Sequence, residues 1–374
     1  EEGIVLLKNR NNLLPLDSSR IRSIAVIGDN ANRKHAHGGG SSYIKAKYEV
    51  TPLEGLKKVA GSKIRLNIAQ GYSMSDSADY KKLIKEAVSA ASNSDVALVF
   101  AGLTHVALNN NNKWNGWDNE GFDNNTWELP WHQYELIQAV VKANPRTIVT
   151  VISGPAYSLS AFADKVPALL YTSYAGMEAG NALASVLFGK TNPSGRLAFS
   201  YPANLNDCAA HAQGKRQYPG VNHVVQYSEG VFTGYRWYDS RGINPLFCFG
   251  YGLSYTTFSY DSLIVSKPEM GSTDSIVATV HLRNTGTRDG AEVVQLYIHD
   301  DVASVIRPYK ELKGFDKIFL RAGEKGVVRF IITKAELSFW DKKKKGFIAE
   351  PGSFTIMVGS SSKDIWLEKS FSYK

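Results

Sequence analysis

The sequence predicts an α/β domain built on a mostly parallel sheet covered on both faces, followed by a smaller all-β sandwich. Three observations lead there. From Ile21 to about Pro202, near-continuous apolar runs of strand length alternate with amphipathic helical stretches, the pattern of a doubly covered parallel sheet. From about Thr256, apolar and polar residues alternate with a period of two, as half-buried strands do. At 374 residues the chain exceeds what one ordinary core organises.

Taken in order, the strand candidates of the first region are "SIAVIGD" (Ser23 to Asp29), "KIRLNIA" (Lys63 to Ala69), "DVALVFAG" (Asp95 to Gly102), "TIVTVISG" (Thr147 to Gly154), "ALLYTSY" (Ala168 to Tyr174) and "RLAFSYP" (Arg196 to Pro202). Between them "TPLEGLKKVA", "DYKKLIKEAVSAASN", "LPWHQYELIQAVVKAN" and "GNALASVLFGK" carry the apolar spacing of helices. Residues 203–255 are rich in His, Gly, Tyr and Pro without a long periodic segment, which reads as a connector between a domain over 1–202 and one over 256–374. In the last region "SIVATVHLRNTG", "EVVQLYIHD", "GVVRFIITK", "GSFTIMVGSS" and "IWLEKSFSY" read as short strands separated by turn residues.

Composition narrows the function classes. No window reaches the roughly 18 consecutive apolar residues a membrane span needs. The formal charge of +8 is scattered, and its densest run, Lys342 to Lys345, reads as a solvated hairpin tip, so nucleic acid is not an expected partner. The two cysteines, Cys208 and Cys248, allow one bridge but no metal cluster. The opening "EEGIVLLKN" has neither an initiator Met nor a signal-peptide pattern, which suggests a piece of a longer or processed polypeptide.

In parallel sheets, function gathers in the loops beyond the carboxyl ends of the strands. Two such loops stand out. The first, "NANRKHAHGGGSSYI", matches no nucleotide fingerprint, which disfavours a flavodoxin-like nucleotide binder; its glycines instead let backbone approach a sugar closely, with Ser41 or Ser42 donating a hydrogen bond. Its His35 and His37 lack the companions of a metal site and read as loop histidines. The second, "NKWNGWDNEGFDNNTWELPW", sets Glu120 among Trp114, Trp117 and Phe122. Aromatic faces stack on sugar rings, and an apolar surrounding raises a carboxyl pKa toward the range of a general acid. Glycoside hydrolysis normally uses two carboxylates, and no second one here has an evident claim to pair with Glu120.

Several stretches, in order, resemble the carboxyl-terminal half of glycoside hydrolase family 3, the β-glucosidase and β-xylosidase family. They are the opening "EEGIVLLKNRNNLLPL", then "GGGSSYI", "NEGFD", "ALASVLFGKTNPSGRLAFSYP", "EGVFTGYRWYD", "PLFCFGYGLSYTTFSY", and finally "RPYKELKGF", "LSFWD" and "EPGSFTIMVGSSS". The resemblance covers essentially the whole chain. It implies a three-layer αβα sandwich with a mostly parallel sheet, a connector, and a fibronectin type III-like sandwich. It further implies a retaining mechanism in which an Asp of a (β/α)8 barrel is the nucleophile and Glu120, matching the family's E-G-Y-D-R-like motif, is the general acid/base. Phe122 matches the aromatic platform for the leaving group and Ser41 a serine that touches the sugar; Trp114 and Trp117 remain candidate stacking surfaces. The usual Asp-Arg is here Asp123-Asn124, and an Asn-rich insertion precedes the motif.

Nothing in the sequence resembles the barrel, so the resemblance implies the acid/base-bearing half of an exo-acting β-glucosidase acting on terminal non-reducing β-D-glucosyl residues. The expected partners are a β-glucoside or oligosaccharide and a barrel domain or chain supplying the Asp, with room for a homo-oligomer; no cofactor and no metal are called for. Secretion or periplasmic export is the family's common habit. The alternatives are β-xylosidase specificity and, in another class, a non-catalytic carbohydrate-binding or scaffold protein.

Overall fold

The computed structural model describes residues 1–75, 77–104 and 126–374. They form two compact units, Glu1–Gly195 and Arg196–Lys374.

The first unit holds β1 (Val5–Asn9), β2 (Ser23–Ile27), α1 (Pro52–Ala60), β3 (Arg65–Ala69), α2 (Tyr80–Ser92), β4 (Val96–Gly102), α3 (Gln133–Ala143), β5 (Thr147–Ile152), β6 (Ala168–Thr172) and α4 (Ala179–Leu187). Its six-stranded sheet has the order β1-β6-β5-β4-β2-β3. All pairings are parallel except that of β1 with β6. Every residue of β2, β4, β5 and β6 is buried, which is why these strands read as unbroken apolar runs. Local signals set the helix starts. Thr51 caps α1 in a reciprocal pair with Glu54, and Pro52 occupies the first turn; Asp79 caps α2 by accepting from Lys82 N–H at 3.1 Å. Right-handed crossovers from β2 to β3 and from β3 back to β4 run in opposite directions, so α1 and α2 cover opposite faces; α1 packs against α4 and α2 against α3. The α1–α4 crossing is close because Gly55 and Gly180 meet there: a Cβ on Gly55 would lie 2.1 Å from the Gly180 carbonyl oxygen.

One strand of the sequence reading is corrected. Residues 196–202 lie in the second unit and bend at 198–199 without joining the sheet: Tyr201 and Phe247 exchange backbone hydrogen bonds of 2.7 and 3.2 Å, and Leu197 pairs likewise with Gly250 and Tyr251. The sixth position of the sheet goes to Val5–Asn9, antiparallel at the edge. An apolar run of strand length reports burial, and it does not say whether its backbone will join a sheet.

The second unit begins with short helices α5 (Ala209–Ala212) and α6 (Tyr235–Arg241), followed by β7 (Phe258–Val265), β8 (Glu269–Met270), β9 (Ile276–Asn284), β10 (Gly290–Asp300), β11 (Glu311–Leu320), β12 (Lys325–Ile332), α7 (Lys334–Leu337), β13 (Phe339–Asp341), β14 (Gly346–Ile348), β15 (Gly352–Gly359) and β16 (Ile365–Tyr373). A five-stranded sheet β11-β10-β15-β16-β8 and a three-stranded sheet β12-β9-β7 share one core that includes Val280, Leu296, Phe354 and Phe371. Burial alternates residue by residue along β9, with one face in the core and the other toward solvent. Lys342 to Lys345 form the turn of the β13–β14 hairpin. Both cysteines are free: Cys248 donates to Ser361 Oγ at 3.3 Å, and Cys208 lies 3.8 Å from the Tyr238 hydroxyl. Among the described residues no helix is long and apolar enough to cross a membrane.

Candidate active site

The chain after β2 crosses toward β3, whereas the chain after β4 crosses the other way, toward β5. Neighbouring parallel strands whose connections diverge leave a crevice at their carboxyl ends, and that switch point is where open α/β sheets bind ligands. Strands β2 and β4 are direct neighbours. The two loops singled out in the sequence leave from these two strands.

The loop after β2 is built on buried polar anchors. Asn30 donates its side-chain amide to the carbonyl of Leu103 at 3.0 Å, at the exit of β4, and its backbone N–H donates to the Tyr72 hydroxyl at 3.2 Å. His35 is buried, and its Nε2–H donates to the Asn30 carbonyl at 3.0 Å. The other ring nitrogen, Nδ1, is buried without a hydrogen-bond partner. A proton there would be stranded away from water, so burial pulls the His35 pKa from 6.5 down to about 4, with Arg33 adding to the depression against the hydrogen bond to Asn30. The same ring stacks on Tyr174, which follows β6, at 6.2 Å, and Tyr174 also lies against Gly38.

Beyond these anchors Gly39 N–H donates to His37 Nδ1 at 3.0 Å, and Gly39 and Gly40 both take positive φ, 79° and 53°, which turn the backbone into the short helical turn Gly40–Ser42. Ser42 Oγ donates to the Gly39 carbonyl at 2.6 Å, and both Ser41 and Ser42 are exposed.

The second loop departs after Thr104 and returns at Thr126; Glu120, Phe122, Trp114 and Trp117 lie outside the described residues. Its two ends are joined by Gln133, the first residue of α3 and fully buried. Gln133 Oε1 accepts from Gly102 N–H at 2.8 Å and its Nε2 donates to the Gly102 carbonyl at 2.9 Å. On the return side, Leu129 N–H donates to the Tyr134 hydroxyl at 3.0 Å, that hydroxyl donates to the Ser158 carbonyl at 2.7 Å, and Ser158 N–H donates to the Trp127 carbonyl at 2.9 Å. The described residues that flank the Glu120 segment, Gly102 before it and Trp127, Leu129 and Gln133 after it, are thus anchored by hydrogen bonds. Asn30, His35, Tyr174 and Gln133 were not marked by the sequence as site residues. Their roles come from contacts up to 139 residues apart in the chain, Tyr174 on His35 being the longest, and a single sequence carries no signal for them.

Comparison with known proteins agrees with this architecture. Residues 4–255 match the Glycosyl hydrolase family 3 C-terminal domain, and residues 292–362 match a Fibronectin type III-like domain. A β-glucosidase of Bacteroides ovatus is 40% identical over 100% of this chain and 50% of its own length. A β-xylosidase of Formosa agariphila is 37% identical over 97% of this chain and 47% of its own. The crystal structure of a β-glucosidase of Bifidobacterium adolescentis superposes with a TM-score of 0.88 at 36% identity, covering 100% of this chain and 52% of that one. The chain therefore spans about half the length of these relatives. On the family match and these identities together, the chain belongs to glycoside hydrolase family 3.

Proposed function

We propose that this chain is the acid/base-bearing half of a retaining, exo-acting β-glucosidase whose nucleophile, an Asp, comes from a (β/α)8 barrel. The observation that supports the reading is the coincidence of motif and topology: in the sequence "GGGSSYI" follows β2 and "NEGFD" follows β4, the two strands that flank the switch point. In this reading the barrel's Asp attacks the anomeric carbon of a terminal non-reducing glucosyl residue while protonated Glu120 gives its proton to the glycosidic oxygen. Glu120, now a carboxylate, then takes a proton from water as that water attacks the glycosyl-enzyme. Ser41 hydrogen-bonds the bound sugar, Phe122 offers a face to the leaving group, and Trp114 and Trp117 are further stacking surfaces. Asn30, His35, Tyr174 and Gln133 act behind these groups by holding the two loops.

The β-xylosidase among the relatives favours one second reading, xylosyl in place of glucosyl specificity. The test is to assay the purified chain alone on p-nitrophenyl β-glucoside and β-xyloside, with intact mass taken on the same sample. The half-site reading expects no turnover of either from a pure 41.2 kDa species, and turnover only once a barrel is supplied. Turnover by the pure chain would place a nucleophile within it and overturn the division of labour. If glycosides bind but neither is hydrolysed with the barrel present, a carbohydrate-binding role replaces the catalytic one.

A further inference from the structure

The second unit carries a cleft that the glycosidase reading does not use. It has a volume of about 880 Å³ and lies between the segment before β11, helix α7 and the β13–β14 hairpin. Trp340 and Phe347 are cross-strand partners on that hairpin, their rings meeting edge-on at 5.4 Å. They remain 54% and 71% exposed, and Ile306 in the same cleft is 83% exposed. Large apolar side chains left open around a concavity mark a binding surface more often than a structural one.

Charge gives the cleft a sign. On its floor, Arg307 is held by Asp300 at 2.9 Å and Glu311 at 2.8 Å, and Lys313 by Glu311 at 3.1 Å, so these groups compensate one another. The rim is different. Lys342 and Lys343 line the cleft, Lys344 and Lys345 complete the turn, all four are exposed, and none makes an ion pair with a described residue. Asp341, the acid beside them, accepts the backbone N–H groups of Lys343 and Lys344 through one oxygen, at 2.7 and 2.8 Å, fixing the turn that displays the four ammonium groups. Four lysines against the single carboxylate of Asp341 leave net positive charge next to two open aromatic faces.

We propose that this cleft binds an acidic polysaccharide, a glycan chain bearing uronate carboxylates. The apolar faces of its pyranose rings stack on Trp340 and Phe347, and its carboxylates pair with Lys342 to Lys345. A flat anionic lipid surface would match the charge but not the concave lining. The inference is independent of the role of Glu120, because it concerns the sandwich unit alone.

The test is affinity electrophoresis of the 374-residue chain through gels containing polygalacturonate, with a neutral glucan, single-stranded DNA and phosphatidylserine vesicles as comparators. The expected result is retardation by polygalacturonate that weakens as salt rises from about 0.05 to about 0.5 M, and that exceeds retention by every comparator. Trp340→Ala with Phe347→Ala should weaken binding about tenfold at every salt concentration. Replacing Lys342, Lys343, Lys344 and Lys345 by Gln should remove the salt-dependent part while changing thermal unfolding little, since all four are exposed and make no ion pair with a described residue. No retardation, equal retention by neutral glucan, tighter binding to DNA or vesicles, or unchanged binding by the lysine variant would each overturn the proposal.

Discussion

The two units of this chain bury charge in opposite ways. In the α/β unit, four of the six strands are wholly buried, and none of the four carries a charged side chain. The buried histidine there, His35, is held neutral. In the second unit buried ions are structural. Arg196 meets Glu292 at 2.7 Å, with the Tyr260 hydroxyl donating to the same carboxylate, and Lys310 meets Asp239 at 2.5 Å on α6. These pairs bind residues 196–255 to the β-sandwich, where alternating strands leave room for polar contacts. The comparison teaches that charged residues act as buried tethers in one unit and are kept out of the four buried strands of the other, because the sheets differ in how many faces they must dry.

The largest break in that comparison should come from the second unit. Arg196→Met leaves Glu292, whose pKa burial already pushes up, without its counter-ion; the loss should be about 3–5 kcal/mol, measured by urea unfolding. Adding Glu292→Met should restore much of it, because the cost lies in the unpaired buried charge. If the single and double variants lose equally, the tether account fails.

A smaller effect sharpens the α/β side. The folded-state pKa of His35, about 4, is below its unfolded value of 6.5, so between those pH values the unfolded chain binds the proton and the native chain does not. The stability tied to its neutral form is complete above about pH 6.5 and is lost as pH falls toward 4, on the order of 3 kcal/mol in all. His35→Gln should flatten that part of the stability–pH curve; an unchanged slope would mean another group carries it. Asp29 and Arg33 bear on the same ring and remain in the variant, so the difference isolates His35.

Smaller again is a packing effect with no charge involved. Gly55→Ala puts a methyl group against the Gly180 backbone and should cost roughly 2 kcal/mol as α1 and α4 are forced apart, lowering the thermal midpoint. A neutral outcome would show that this crossing relaxes more easily than its geometry implies.

What could be read in advance follows the same division. Strands β4 and β5 announced themselves as unbroken apolar runs and β9 by alternation, because each pattern is the direct trace of how many faces are dry. Strand β11 escaped notice: its exposed Phe315 and Phe319 and its interspersed charges are those of a sheet edge, with no clean period. Residues 196–202 looked like a sheet strand and were not, since pairing partners are a tertiary fact. Of the candidate site, the sequence marks the segments of Ser41 and Glu120 by motif, and the described residues add that those segments follow the neighbouring strands β2 and β4. Its supports, Asn30, His35, Tyr174 and Gln133, were not, since each is defined by a contact between segments far apart in the chain.

The central claim, that Glu120 is the proton donor, is tested most directly by Glu120→Gln in this chain joined to the barrel of a relative such as the Bacteroides ovatus enzyme, once the unaltered hybrid turns over. The measurement is kcat/KM on a poor-leaving-group phenyl β-glucoside and on an activated dinitrophenyl β-glucoside. The account predicts a loss on the order of 100-fold or more on the first and little on the second, because only the first needs the proton in its transition state. Equal losses on both substrates would make Glu120 a binding contact and contradict the account.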